Sequence, residues 1–192
     1  MNVAILISGS GSNMVRLVEE MQSGSINAIP ALVISNDPSA KGLEKAESLG
    51  VPTSVVDHKT YSDRTAFEAE MDRVLRKADI DLICLAGFMR ILSSAFVSQW
   101  TDRILNIHPS LLPKYKGLNT HARAIEAGDK AAGCSVHIVN SNIDDGPILG
   151  QRSVEIQPND TPETLAERVL VEEHKLYPEI LKTYVDRLRT ET

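Results

Sequence analysis

The sequence predicts an α/β fold with a mostly parallel, twisted sheet, helices on both of its faces and antiparallel strands in the C-terminal part. Two continuous apolar runs, residues 3–8 and 82–86, are typical of strands that are buried on both faces of a parallel sheet. Between these runs, strand-like and helix-like segments alternate, which is the order of parallel strands joined by helices. Further along, two strand-like runs are joined by a short turn at residues 144–147, and such a short connection favours an antiparallel pair.

The first part of the chain alternates between predicted strands and predicted helices. Strands are expected at residues 3–8, 31–35, 53–56 and 82–86, and helices at residues 12–21, 40–49 and 61–77. The third helix has the strongest pattern, because Phe67, Met71 and Leu75 recur at four-residue spacing and therefore lie on one face.

The second part of the chain has a different pattern. Strands are expected at residues 103–108, 135–139 and 148–156, and a short helix at residues 119–126. A long last helix follows, which Asp160 and Glu163 are expected to open as a variant of the capping box. The apolar residues of this helix are expected to pack across the sheet.

Length, charge and cysteine content limit the classes of protein to which the chain can belong. A chain of 192 residues is expected to form a single domain, residues 1–192. The net charge of −6 without a basic tract argues against nucleic acid as a partner, and no apolar run approaches the ~20 residues of a membrane span. The N-terminus lacks the pattern of a signal peptide, and the two cysteines show neither metal spacing nor a disulfide framework. We therefore expect a cytoplasmic protein without a metal site.

Asn106 and His108 are the strongest candidates for catalysis. They lie two residues apart in a predicted strand and share one face, while Leu105 and Ile107 point to the core. Pro109 ends the strand, so the pair is expected at the carboxyl edge of the sheet, where open α/β sheets bind ligands. An amide can donate a hydrogen bond to an oxyanion, and an imidazole can transfer a proton. The alternative is a pair of hydrogen-bonded core residues.

Residues 8–13, with the sequence SGSGSN, connect the first predicted strand to the first helix. Glycines allow the backbone to approach a ligand, and the unpaired N–H groups of a helix N-terminus bind anions. Met14 occupies the position of the third glycine of the dinucleotide fingerprint, and the lysine of a P-loop is missing. The loop therefore favours a phosphomonoester, with a tight turn and a helix cap as the alternative.

Two other segments are candidates for the same site. Residues 87–92 follow the fourth strand and place apolar groups and Arg90 where they can line a pocket, with packing of the next helix as the alternative. A carboxylate from the turn at Asp144 and Asp145 would orient the His108 ring and favour its protonated form, and the sequence leaves open which of the two does so. Cys84 lies in an apolar strand and is expected to be an inert thiol.

These motifs resemble those of the folate-dependent formyltransferases, and the similarity extends from residue 3 to the last helix. It rests on residues 106–117, 135–137 and 144–147, and it is narrowed to the glycinamide ribonucleotide transformylase family by residues 8–13 and 87–92. The resemblance implies a Rossmann-like fold, in which a nucleotide-substrate half at about residues 1–100 precedes a folate and catalytic half at about residues 101–192.

The resemblance also implies an activity and its residues. The family transfers a formyl group from the cosubstrate 10-formyltetrahydrofolate to the amine of glycinamide ribonucleotide in purine biosynthesis, without a metal. The implied residues are Asn106, His108 and Asp144 for catalysis, Gly11, Ser12, Asn13 and Glu173 for the ribonucleotide, and Arg64, Met89, Arg90, Ile91, Leu92, Val97 and Asn140 for the folate.

In the implied mechanism, Asn106 and protonated His108 stabilise the oxyanion of a tetrahedral intermediate, and Asp144 favours the protonated ring. An ordered water is expected to carry the proton from the attacking nitrogen to the leaving nitrogen of the folate.

Three finer features follow from the same resemblance. Ser135 is expected to support the catalytic residues, and the Leu112–Pro113 bond is expected to be cis. The chain departs from the family pattern at Asp145, where glycine is frequent, and at Leu170, where some members have a polar residue.

Three other functions are compatible with parts of this pattern. Formyltetrahydrofolate hydrolase is similar in its Asn, His and Asp but has an N-terminal regulatory domain, and methionyl-tRNA formyltransferase adds a C-terminal domain; neither addition is expected here. A non-catalytic dinucleotide-binding module is the third, because Asp37 follows the glycine loop at a spacing that can reach a ribose. We expect small-molecule substrates and a monomer or a weak homodimer.

Overall fold

A computed structural model of the chain describes residues 1–190, so the last two residues of the predicted domain lie outside the described part. The strands are β1 (Asn2–Ile7), β2 (Ile29–Ser35), β3 (Thr53–Val55), β4 (Leu82–Leu85), β5 (Ile104–His108), β6 (Ala131–Ile138) and β7 (Ile148–Glu155). The helices are α1 (Ser12–Gln22), α2 (Gly42–Ser48), α3 (Arg64–Lys77), α4 (Ser94–Gln99), α5 (Thr120–Glu126) and α6 (Pro162–Thr190).

The strands form one sheet in the order β3-β2-β1-β4-β5-β6-β7. β1 to β5 pair in parallel, whereas β6 is antiparallel to β5 and β7 is antiparallel to β6. The predicted α/β class is therefore confirmed, including its antiparallel C-terminal part. The strands that follow β1 in the chain, β2 and β3, lie on one side of it, and the strands that follow β4 lie on the other side of the sheet. The loops after β1 and β4 therefore lead in opposite directions and leave a crevice at the carboxyl ends of these two strands.

Helices cover the two faces of the sheet unequally. On one face, Val3, Ile5 and Ile7 of β1 pack with α1 and α6, and this layer continues across β5 and β6 through residues such as Leu105 and Val136. On the other face, the alternate side chains of β1, β2 and β4 pack with the apolar residues of α3 and α4. α6 anchors the first layer at its centre, because the buried hydroxyl of its Tyr177 donates to backbone carbonyl oxygens of β4 and β5 at 3.1 Å.

The second face changes character at β5. Ile104 is the last residue of this strand in the apolar cluster under α3 and α4. Asn106 and His108 continue the same face, because side chains alternate along a strand. Across the ladder, Asn106 pairs with His137 and His108 pairs with Ser135, so four polar side chains lie side by side on this part of the sheet. Loops rather than helices cover them.

Several boundaries differ from the prediction. α2 and α3 begin two and three residues later than expected, and α3 begins where the Asp63 side chain accepts a hydrogen bond from the Ala66 N–H. β6 begins at residue 131 rather than 135, because the small residues Ala132 and Gly133 pair with β7. The short helix α4 was not predicted, since its six residues are too few to produce a periodic pattern.

The cap of α6 is one residue later than expected, so the predicted box of Asp160 and Glu163 is wrong. Thr161 and Thr164 exchange backbone-to-side-chain hydrogen bonds of 3.0 and 3.3 Å, which is the reciprocal pattern of a capping box. Pro162 then occupies the first helical position, where its missing N–H costs no hydrogen bond. Within residues 1–190, no helix has both the length and the apolar character needed to span a membrane.

Candidate active site

Asn106 lies at the centre of the polar part of the sheet. Its Nδ2 is 3.1 Å from Nε2 of His137 and 3.4 Å from Oδ1 of Asp144. Nδ1 of His137 lies 2.9 Å from the carbonyl oxygen of Ile138, which can only accept, so this nitrogen carries a proton. Nε2 of His137 therefore faces both neighbours: in the neutral ring it accepts from the Asn106 amide, and in the protonated ring it donates toward Asp144.

His108 has a hydrogen-bond acceptor at each ring nitrogen. Its Nε2 is 2.9 Å from the carbonyl oxygen of Tyr115, and its Nδ1 is 3.3 Å from Oδ2 of Asp144. Only the doubly protonated imidazolium can donate to both partners at once. The surroundings of His108 therefore fit its cationic form.

Asp144 is the residue that connects these groups. Its carboxylate also accepts the Gly117 N–H at 2.9 Å, and Oδ1 lies 3.6 Å from Nε2 of His137. Burial acts to raise the pKa of Asp144. The His137 hydrogen bond, the Gly117 N–H and the charges of the two histidines outweigh burial, so this pKa lies below its ordinary value. Asp144 is therefore an anion at neutral pH, and Asp144 rather than Asp145 reaches His108.

The turn that delivers Asp144 accommodates the departure at Asp145. The left-handed residue of the turn is Asp144, with a φ of 48°, and Asp145 does not have a positive φ. Glycine is needed one position later, because a Cβ on Gly146 would lie 1.7 Å from the carbonyl oxygen of Ile138. The Asp145 carboxylate instead forms an ion pair with Lys116, which holds its pKa below the usual range. This pair links the turn to the loop after β5.

Ser135 holds the segment that follows His108. Its fully buried hydroxyl donates to the Ser110 carbonyl oxygen at 2.6 Å and accepts the Leu112 N–H at 3.1 Å. Gln151 donates to the same hydroxyl and to the Leu112 carbonyl oxygen, at 2.8 and 2.9 Å. The Leu112–Pro113 bond is cis, as expected. Ser135 thus contacts the backbone of the loop and not the catalytic side chains directly.

The glycine loop leads into a helix whose first N–H groups are free for a ligand. No side chain caps α1, whereas Asp63 and Ser93 cap α3 and α4. Gly11 has a φ of 69°, and a Cβ there would lie 2.9 Å from Cα of Gly42. A helix terminus of this kind binds anions.

α2 closes over the same loop from outside. The Gly42 N–H donates to the Gly9 carbonyl oxygen at 3.0 Å, and Nζ of Lys45 donates to the Ser10 carbonyl oxygen at 2.8 Å. Asp37 turns its carboxylate to Ser39, whose N–H and hydroxyl donate to it at 2.8 and 2.7 Å. Asp37 thus uses one carboxylate oxygen within its own turn, and the missing third glycine at Met14 remains the argument against the dinucleotide alternative.

Asn13 and Glu173, which are 160 positions apart, meet between α1 and α6. Nδ2 of Asn13 donates to Oε2 of Glu173 at 2.7 Å, and the buried Oδ1 of Asn13 has no hydrogen-bond partner within residues 1–190. Burial raises the pKa of Glu173 more than the Asn13 hydrogen bond lowers it. The buried carboxyl and the unpaired amide oxygen together offer hydrogen-bond acceptors to a polar ligand. Leu170, one turn earlier on α6, is half-buried.

The residues expected for folate divide into two groups. Met89, Arg90 and Ile91 are exposed on the loop after β4, and Arg64 is exposed at the first position of α3. Leu92 and Val97 instead lie buried in the apolar layer with α3 and α4, so they form the floor beneath the loop. Asn140 is half-buried, and its side chain accepts the Asn142 N–H at 3.0 Å.

Large apolar side chains are exposed around this cleft. Met89 and Ile91 are 65% and 59% exposed, Leu118 in the loop after β5 is 71% exposed, and Ile143 before Asp144 is 51% exposed. These residues come from three different loops that surround the polar part of the sheet. Exposed apolar side chains on loops beside a polar site are candidates to contact a ligand with an apolar surface.

Sequence reasoning missed two contributors to the site. One is His137, whose alternation with Val136 and Ile138 fits either an inward or an exposed side chain; the pairing of β6 with β5 places it opposite Asn106. The Tyr115 carbonyl carries no side-chain signal, because any residue has one. Cys84 is fully buried and burial raises its pKa to about 12, which agrees with an inert thiol.

Comparisons with known proteins agree with this geometry. A family model described as formyl transferase matches residues 1–181. The phosphoribosylglycinamide formyltransferase of Escherichia coli strain K12 is 40% identical over 186 residues, which are 97% of this chain and 88% of that protein. The crystal structure of glycinamide ribonucleotide transformylase 1 from Symbiobacterium toebii superposes with a TM-score of 0.95 at 41% identity, and the match covers 97% of this chain and 88% of that one.

Longer proteins contain a similar segment. The trifunctional purine biosynthetic protein adenosine-3 of Gallus gallus is 49% identical over 180 residues, which are 94% of this chain. The chain spans only 18% of the length of that protein. The family model and the bacterial enzyme, by contrast, match nearly the whole chain, and on that evidence the chain belongs to the formyl transferase family.

Proposed function

We propose that this chain transfers a formyl group from 10-formyltetrahydrofolate to the amine of glycinamide ribonucleotide, a step of purine biosynthesis. One observation carries the proposal: the Asp144 carboxylate lies 3.4 Å from Nδ2 of Asn106 and 3.3 Å from Nδ1 of His108, so it brings these two side chains of β5 into one polar cluster. The names of the bacterial relatives, which match nearly the whole chain, support the same reaction.

The ribonucleotide is assigned to the crevice between α1 and α6. Its phosphate is bound by the uncapped N-terminus of α1 at Gly11, Ser12 and Asn13, where partial positive charge is concentrated. Glu173 lies on the same side, held to Asn13 by a 2.7 Å hydrogen bond, and accepts from hydroxyl or amine groups of the substrate. This placement directs the substrate amine toward the polar part of the sheet.

The folate is assigned to the cleft beside residues 87–92. Met89 and Ile91 provide exposed apolar surface for the pterin ring, over a floor of Leu92 and Val97. Arg90 and Asn140 supply polar contacts at the cleft. Arg64 has no hydrogen bond or ion pair within residues 1–190 and is free to bind a carboxylate of the glutamate tail.

The chemistry begins with attack of the neutral amine on the formyl carbon, which forms a C–N bond and moves the carbonyl electrons onto oxygen. Asn106 donates a hydrogen bond to this oxyanion, and cationic His108 stabilises it by charge. The Asp144 carboxylate, 3.3 Å from Nδ1 of His108, is placed to pair with the cationic ring. The nitrogen of the folate then leaves as the carbonyl re-forms, and a water carries a proton from the attacking nitrogen to the leaving nitrogen.

Both ring nitrogens of His108 already have partners, so direct donation to the oxyanion requires one contact to open. The 3.3 Å contact with Asp144 is longer than the ~2.7–2.9 Å of typical charge-assisted hydrogen bonds. The 2.9 Å contact with the Tyr115 carbonyl is of normal length. Nδ1 is therefore the ring nitrogen that engages the substrate. Its partner Asp144 also contacts Asn106, so this side of the ring belongs to the same polar cluster.

The test is a turnover assay with the purified chain, glycinamide ribonucleotide and 10-formyltetrahydrofolate. We expect formylated ribonucleotide and tetrahydrofolate in equal amounts. Folate consumption that is independent of the ribonucleotide would identify a hydrolase instead. Absence of turnover together with binding of NAD would support the dinucleotide module. We propose further that the protein is cytoplasmic. We also propose that it is a monomer or a weak homodimer, and sedimentation across a concentration series would test this oligomeric state.

A further inference from the structure

The loop at residues 87–92, which we call the folate loop, is fixed at both ends by side chains from other elements. At its start, the Met89 N–H donates to Oγ of Ser8 at 2.8 Å, and the Ser8 N–H donates to the Gly87 carbonyl oxygen at 3.1 Å. The Ser8 hydroxyl in turn donates to Oδ1 of Asn36. Ser8 is the first residue of the glycine loop, so one side chain connects the two loops that flank the crevice.

At its other end, the folate loop meets a buried carboxylate. The residue after the loop is Ser93, whose N–H donates to Oε1 of Glu68 at 2.7 Å and whose hydroxyl donates to Oε2 of the same residue. Glu68 lies on α3 and is only 6% exposed. Burial of a carboxylate costs free energy unless hydrogen bonds compensate it. An apolar side chain would fill the same space without this cost, so the hydrogen bonds of Glu68 are the reason to look for a role beyond packing.

Helix capping does not account for Glu68. Ser93 alone caps α4, because its hydroxyl accepts the Phe96 N–H at 3.1 Å. What Glu68 adds is a bond to the backbone N–H of Ser93, directly after Leu92. It therefore fixes the path of the folate loop rather than the helix that follows.

Glu68 belongs to a line of charged residues at four-residue spacing on α3, which share one face of the helix. Asp72 accepts from Nε1 of Trp100 at 2.8 Å, and the Arg76 guanidinium lies 4.3 Å from the centre of the same indole ring. α3 thus contacts the end of the folate loop through Glu68 and the far end of α4 through Asp72. Arg64, the first residue of the line, is the one without a partner within residues 1–190.

We infer that Glu68 and Ser8 are positioning residues for the folate loop, and that they fix the distance between this loop and Arg64. Glu68 ties the end of the loop to α3, which also carries Arg64 one helical turn earlier. Neither side chain is among the residues assigned to the two substrates. The inference rests on the proposed function, since it assigns the loop and Arg64 to the folate.

Three variants and one matched control test this inference. Glu68→Ala removes both bonds to Ser93, and Ser8→Ala removes the acceptor of the Met89 N–H. Glu68→Gln keeps a side-chain oxygen for the Ser93 N–H and is the conservative rescue. Asp72→Ala breaks the same kind of bond on the same face of α3, at the end of α4 that is distant from the loop.

The measurements are the two KM values, kcat and the melting temperature. We expect Glu68→Ala and Ser8→Ala each to raise the KM for 10-formyltetrahydrofolate roughly tenfold, which corresponds to ~1.4 kcal/mol. The KM for the ribonucleotide should change less than about twofold, because residues 11–13 keep their contacts. Glu68→Gln should bring the KM for 10-formyltetrahydrofolate most of the way back to the wild-type value. Asp72→Ala should lower the melting temperature and leave this KM unchanged.

A folate KM that stays at the wild-type value in Ser8→Ala, together with equal effects of Glu68→Ala and Asp72→Ala on that KM, would overturn the inference. An equal rise in both KM values would do the same, because it indicates general loss of structure. Calorimetric binding of 5-formyltetrahydrofolate to wild type and variants gives the same comparison without turnover. A chain that binds this folate in the expected order of variants but transfers no formyl group contradicts only the proposed function.

Discussion

Oδ2 of Asp144 lies 3.3 Å from Nδ1 of His108, although the two residues are on different segments of the sheet. β5 carries His108, and the connection from β6 to β7 carries Asp144. This connection leaves β6 beside the start of β5, where the Val139 N–H donates to the Ile104 carbonyl oxygen, and then folds back over the polar part of the sheet. The carboxylate thereby lies on one side of the His108 ring, while the Tyr115 carbonyl oxygen lies 2.9 Å from Nε2 on the other.

Asp144→Asn should lower kcat/KM by roughly 100-fold, within the range of general acid–base effects, because the amide keeps the shape of the side chain and loses its charge. The variant should also change the acid stability of the protein. The pKa of Asp144 in the folded state is below its ordinary value of 3.8, so its ionised form stabilises the fold above pH 3.8. This contribution is lost as the pH falls through the lower folded pKa.

Thermal melts of wild type and Asp144→Asn at neutral and acid pH check this sign. Wild type should melt higher than the variant at neutral pH, and the difference should shrink below pH 3.8. A difference that stays constant from neutral to acid pH would show that the charge of Asp144 does not contribute to stability.

Asn106→Ala should cost ~2.7–4 kcal/mol of transition-state stabilisation, as the loss of an oxyanion donor does elsewhere. The expected result is a fall in kcat of about 100-fold to 1000-fold with smaller changes in both KM values. Steady-state kinetics measures this loss. Asn159→Ala, at an exposed asparagine between β7 and α6, is the matched control and should have wild-type kinetics. Near-normal turnover of Asn106→Ala would remove Asn106 from the catalytic set.

Glu173→Gln should stabilise the protein at neutral pH while it weakens binding of the ribonucleotide. Burial raises the pKa of Glu173 above its ordinary value of 4.5, so the folded state favours the protonated carboxyl. The stabilising contribution of the carboxyl is therefore present below pH 4.5 and is lost as the pH rises through the raised pKa. Glutamine is neutral at every pH and can still accept from Asn13.

The melting temperature of Glu173→Gln should exceed that of wild type by a few degrees at neutral pH, and the two should converge in acid. The KM for the ribonucleotide should rise, because the charged acceptor is lost. Equal melting temperatures at neutral pH would mean that the buried carboxylate carries no energetic penalty.

Ser135→Ala should destabilise the protein by about 1–3 kcal/mol, because the buried Leu112 N–H loses its partner. The loop after His108 should also become less ordered, so kcat should fall although Ser135 does not touch the catalytic side chains. Urea unfolding measures the stability change. Ser153→Ala, at an exposed serine of β7, is the control and should unfold as wild type does. If both variants unfold alike, the Ser135 network does not stabilise the loop.

The parts of the fold that sequence predicts well are those with strong local patterns. The buried runs of β1 and β4 and the four-residue spacing in α3 appear as expected. α4 and the start of β6 were missed, because six residues produce no helical period and small residues carry little strand signal. The cap of α6 was displaced by one residue, since Asp160 and Thr161 are both good capping residues and only the backbone path selects between them.

The sequence by itself determined the α/β class, the placement of Asn106 and His108 on one face, and the similarity to a formyltransferase family. These are consequences of backbone periodicity and of residue chemistry, which act over a few neighbouring positions. Only the tertiary structure decided that Asp144 and not Asp145 reaches His108, that His137 faces Asn106, and that Asn13 meets Glu173. Such contacts depend on strand register and on loop closure between segments far apart in the chain, and no local pattern encodes those distances.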